Sequence, residues 1–93
     1  MPTARRVRIE VTDEAPSGAA AETAAVRLIA LLPAGWTARL LGCTATSATL
    51  LVTPSAELSA DGVAAAVDGI LRRPPLRGWA RTRLPGDVTG ASA

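Results

Sequence analysis

The stretch RRVRIEVT, residues 5–12, alternates without a break: Val7, Ile9 and Val11 fall on one side, Arg6, Arg8, Glu10 and Thr12 on the other. Period two with β-branched residues on the apolar side is the mark of a strand with one face buried. That face needs a cover, and the next segments supply it. DEAPSG, 13–18, holds a Pro and a Gly and reads as a loop, with Ser17 placed to cap a helix. AAAETAAVRLIALL, 19–32, then shows helical spacing: Ala21, Ala25, Leu28 and Leu32 centre one face, Ala24, Ile29 and Leu31 flank it, and Glu22, Thr23 and Arg27 lie opposite. Pro33-Ala34-Gly35 stops the helix.

Further along, WTARLL (36–41) and ATLLVT (48–53) suit strands, and GCTATS (42–47) between them suits a hairpin turn. With Trp36, Ala38, Leu40, Ala48, Leu50 and Val52 facing the helices, Leu41 and Leu51 point outward beside Thr49 and Thr53. SADGVAAAVDGILR (59–72) is a second helix, capped by Ser59, with Asp61 in its first turn and an apolar stripe of Val63, Val67, Ile70 and Leu71. Pro74-Pro75 is a hard stop, and 76–78 suit one extra turn. WARTRL (79–84) is expected to be the last strand, and the small, polar stretch 85–93 a frayed tail. The order β-α-β-β-α-β predicts an α+β fold, the ferredoxin-like two-layer sandwich. In that plan two helices cover one face of a four-stranded antiparallel sheet of order 4-1-3-2. Residues 1–84 make up a single α+β domain and 85–93 a flexible tail. The alternative is a swapped dimer in which 79–84 is lent to a partner.

Composition narrows the chemistry. The 93 residues include no His, Lys, Tyr, Phe, Asn or Gln. Without His, the usual general base near neutral pH and the commonest metal ligand are missing. Without Lys there is no Schiff base and no P-loop lysine. The single cysteine, Cys43, excludes an internal disulfide and a cysteine zinc site. It has no histidine to activate it and is expected to be a passive, reduced turn residue. The acid pairs Asp13–Glu14 and Glu57–Asp61 match no calcium-loop spacing and read as solvated loop groups. No cofactor and no metal is expected. The scarcity of Phe, Tyr, Asn, Lys, Ile and Met follows AT-poor coding and points to a GC-rich bacterium. No apolar stretch is long enough for an export signal or a membrane span, so a cytoplasmic location is expected. Of the hydrophobic residues, 20 are Ala, so the core is modest. A chain this short buries only roughly 60–65% of its unfolded surface.

Charge is uneven. Residues 1–8 carry three arginines; 9–71 set Arg27 and Arg39 against seven carboxylates; 72–93 set five arginines against Asp87. In the 4-1-3-2 order the first and last strands are neighbours. If Ala80, Thr82 and Leu84 point inward, Arg81 and Arg83 join Arg6 and Arg8 on the open sheet face, near Glu10 and Arg39. Trp79 would share that face. Leu51 adds apolar area, and such a patch suits a partner or an anion. The competing explanation is that strand charges only block aggregation. RNA-binding sheets of this topology stack bases on aromatics, which the central strands here lack. The leading expectation is therefore a small non-enzymatic accessory or interaction module, using Arg6, Arg8, Leu51, Trp79, Arg81 and Arg83, by self-association as a homodimer or with a larger protein partner. An anion- or nucleic-acid-binding module built on the same arginines is the alternative. A small enzyme acting on an anionic substrate is the third.

Overall fold

The computed structural model describes residues 2–15 and 18–82. The expected cap at Ser17, the strand positions Arg83 and Leu84 and the expected tail 85–93 lie outside them. Strand β1 spans Arg5–Val11, helix α1 Ala21–Ala30, β2 Thr37–Cys43, β3 Ser47–Thr53, α2 Ala60–Leu71 and β4 Trp79–Thr82, with a 3-10 turn at Pro74–Leu76 between the last two. The four strands form one antiparallel sheet in the order β2-β3-β1-β4, so β1 and β3 are central. Both helices pack on one face, which is the ferredoxin-like α+β arrangement the element order predicts. None of the described helices is long and apolar enough to cross a membrane.

The core sits between helices and sheet. Val7 and Ile9 of β1 meet Ala48, Leu50 and Val52 of β3 on the covered face; Ala21, Ala24, Ala25 and Leu28 of α1 and Val63, Val67, Ile70 and Leu71 of α2 close over them. The α2 stripe is the one its spacing gives. Ser59 caps α2, its hydroxyl accepting from the Gly62 N–H at 3.0 Å, which satisfies one of the helix's orphan donors. Helix α1 is shorter than its apolar run. It begins after Ala20, which supplies no side-chain cap. Leu31 and Leu32 leave the helix but still pack against the core from the turn that follows.

Two local corrections concern the hairpin. Strand β2 runs on to Cys43 instead of ending at Leu41, because a bulge between Leu40 and Gly42 absorbs one residue and restores pairing. The loop is correspondingly tight. The Thr44 hydroxyl accepts from the N–H groups of Thr46 and Ser47, at 3.2 and 3.0 Å. This lets a four-residue reversal close without glycine.

On the opposite edge of the sheet, Gly78 links the 3-10 turn to β4 with φ +89. Its carbonyl accepts from both the N–H and the hydroxyl of Thr12, at 2.7 and 2.9 Å. A Cβ on Gly78 would collide with the Ala15 backbone, so the β1–α1 loop and the start of β4 touch where only glycine fits.

Candidate functional site

Register places the side chains of the open face. Arg6 and Arg39 lie directly opposite Leu51, one from β1 and the other from β2. The three form a single row across the strands, with Leu51 between two guanidiniums. The next row sets Arg8 opposite Thr49 on one side and Thr82 on the other. Arg8 forms an ion pair with Glu10, two residues along the same face, at 3.4 Å. Arg6 and Arg39 are exposed, and neither guanidinium has a hydrogen bond or ion pair among the described residues. Leu41, 44% exposed at the bulge, adds apolar surface on the β2 edge. Of the expected contact residues, then, Arg6, Arg8 and Leu51 share the open face, and Arg39 joins them.

Trp79 and Arg81 do not. Trp79 pairs with Val11 and Arg81 with Ile9, so both point into the helix-covered layer, and Ala80 and Thr82 face outward. The expected phase of β4 is reversed. The reason is the indole: Trp79 is 8% exposed within the core, and burying that area outweighs keeping an arginine in water. Arg81 is accommodated at this edge strand by Asp68 of α2, with Nε to Oδ1 at 2.9 Å and a terminal nitrogen to Oδ2 at 3.2 Å. This two-point geometry is the one a guanidinium and a carboxylate favour. Arg83 lies outside the described residues. Trp36 is half-buried against the core, so both tryptophans belong to the covered side.

A second basic region was not assembled from the sequence. Two hollows of about 320 and 540 Å³ flank Trp79. Thr23, Arg27 and Arg77 line the first; Glu14, Arg72 and Arg77 line the second. The Arg27 guanidinium donates to the Pro75 carbonyl at 3.3 Å, which ties α1 to the 3-10 turn 48 residues on. The run RRPPLR at 72–77 signals the charge, but only the fold brings Arg27 to it.

The described carboxylates are solvent-facing or paired. Glu57 is shifted by its surroundings: the Thr3 hydroxyl and the Thr3 N–H both donate to it, and with the Arg5 charge nearby they hold its carboxyl below the ordinary value. Cys43 is exposed at the end of β2. Comparison with protein-family models, with curated proteins and with solved structures finds no match to this chain.

Proposed function

We propose that the protein is a small non-enzymatic interaction module that meets a protein partner through the open face of its sheet. The observation that carries this is the row Arg6–Leu51–Arg39 on a face no helix covers. A half-buried leucine between two exposed guanidiniums, with Leu41 beside them, offers apolar area inside a charged rim, the anatomy of a contact patch. Acid–base catalysis at neutral pH needs a carboxylate lifted by burial. None of the described carboxylates is buried, which favours binding over chemistry. The reading as a nucleic-acid binder rests on the same arginines, and the placement of both tryptophans on the covered side deprives it of stacking surface.

The test compares two surfaces. Sedimentation measures self-association, and affinity capture from the source lysate measures hetero-association. Each is run on the wild-type chain, on Leu51→Asp and Arg39→Glu from the open face, and on Val26→Asp from the exposed side of α1. The expected result is association that the two open-face variants lose and Val26→Asp keeps. Loss with Val26→Asp alone, or no association of the wild-type chain at all, overturns the reading.

A further inference from the structure

We infer that the occupant of the open face is an acidic, extended protein segment with one aliphatic side chain between two carboxylates, laid across the strands along the row Arg6–Leu51–Arg39. This rests on the preceding reading of the open face as the contact surface and deepens it by naming the partner's chemistry. Arg8 is offset by Glu10 at 3.4 Å, which leaves Arg6 and Arg39 as the exposed cations of this face without a partner among the described residues. A complementary surface brings two anions to them.

Arg6 and Arg39 belong to strands separated by β3, so their Cα atoms lie about 10 Å apart, two strand spacings of ~4.8 Å. In an extended segment, side chains on one side recur every ~6.7 Å, so acids at positions one and five bracket an aliphatic residue at position three. Arginine side chains are long enough to splay outward over the difference. The aliphatic group then meets Leu51, and each carboxylate meets one guanidinium.

The same facts disfavour the other occupants. Stacking two copies face to face by a two-fold axis sets the same patch against itself. Four guanidiniums without partners would then face one another, and the only described carboxylates on those faces are the two already held by Arg8. A nucleic acid would gain two phosphate contacts and leave Leu51 against a polar backbone. With two contacts the affinity falls only about tenfold between 50 and 200 mM salt, the behaviour of a weak, sequence-blind binder.

The experiment is a titration of the isotope-labelled full chain, followed by amide shifts. The probes are a capped peptide of pattern Glu-x-Leu-x-Glu with serine at x, the same peptide with lysine in place of both acids, and a short duplex DNA. The acidic peptide is expected to shift the amides of Arg6, Arg39 and Leu51 and to saturate, and the lysine peptide to leave them unmoved. In the double variant Arg6→Glu, Arg39→Glu, affinity for the acidic peptide should fall at least tenfold and the lysine peptide should begin to bind. Both substitutions are at exposed positions, and the single variants provide a check should the double one fold poorly. Equal binding of the two peptides, or binding that survives charge reversal, overturns the inference. So does duplex DNA binding more tightly than the acidic peptide at the same salt. In that event the open face remains a contact surface with a different ligand. Whether it contacts a protein at all is decided separately by the Leu51→Asp and Val26→Asp comparison, so the two failures are distinguishable.

Discussion

On the covered side of the sheet, Arg5 and Arg81 each find a partner in the helix layer: Arg5 donates to the Leu58 carbonyl just ahead of α2 at 3.2 Å, and Arg81 holds Asp68 of α2 at 2.9 Å. On the open side, Arg6 and Arg39 reach no such partner among the described residues, and Arg8 finds only the Glu10 of its own strand. The residue type is the same and the strands are neighbours, yet one set anchors helices and the other is left facing solvent. An arginine in an alternating strand therefore takes its role from whichever neighbour fixes the strand's phase. In β1 that neighbour is Ile9, fully buried; in β4 it is Trp79.

The comparison breaks most readily at Trp79. Trp79→Ala removes the group that turns Arg81 inward and leaves a large cavity, at a cost of about 3–5 kcal/mol. For a domain this small that is a large share of total stability. The expected outcome is a chain mostly unfolded at room temperature by circular dichroism; a shift in urea midpoint equivalent to less than ~1 kcal/mol would show that the indole does not set the phase. Gly78→Ala comes next. It combines a positive φ with a collision against the Ala15 backbone, so the loop must move away from the turn. A loss of about 2 kcal/mol or more is expected. An unchanged midpoint would mean that the loop gives way at no cost.

The two arginine sets themselves differ by less. The Arg81–Asp68 pair is about one-third exposed, so solvent screens it, and Arg81→Met is expected to cost about 1 kcal/mol. Arg39→Met should stay within ~0.5 kcal/mol of wild type, as surface substitutions do. Urea midpoints of the two variants, measured side by side, sharpen the contrast. If Arg39→Met costs as much as Arg81→Met, the open face is holding the fold together and is not spare surface for a partner.

These differences explain which parts of the architecture were legible beforehand. Past Arg5, one alternating set of β1 is apolar (Val7, Ile9, Val11) and the other polar (Arg6, Arg8, Glu10), so only one phase is possible. In 79–84 each set is mixed: Trp79, Arg81 and Arg83 against Ala80, Thr82 and Leu84. Local pattern then gives no decision, and two arginines argue for solvent as strongly as one tryptophan argues for the core. Tertiary packing settles it: the indole fills the core, and a carboxylate on α2 lies within reach of Arg81. The limits of α1 were illegible for another reason. Alanine favours helix and also fills turns, so 19–20 carried no boundary signal, and Leu31 and Leu32 find the core without being helical. The row Arg6–Leu51–Arg39 needed register. Arg6 and Leu51 face outward by the alternation of their own strands, but only the pairing of β2 with β3, set before the bulge at Leu40, puts Arg39 on the same line.

The smallest effect concerns the start of β1, where the covered-side anchors begin. Glu57 accepts from the Thr3 N–H and hydroxyl, at 2.6 and 2.9 Å, and its carboxyl is held below the ordinary value of 4.5. A carboxyl lowered in the folded state stabilises the fold fully above its unfolded value. That contribution disappears as pH falls through the lowered folded value. The clasp should therefore be intact at pH 6 and be lost on acidification into the range below the ordinary carboxylate value. The Arg5 bond to Leu58 involves no group that titrates there and should persist. Glu57→Gln keeps the shape but removes the charge. Wild type is expected to exceed Glu57→Gln in urea midpoint at pH 6, and the gap should close as pH is lowered well below 4.5. A gap that stays constant would show that the clasp depends on hydrogen bonding alone. A gap that closes while Arg5→Met remains destabilising throughout would separate the two ties at this end of the sheet, one sensitive to pH and the other not.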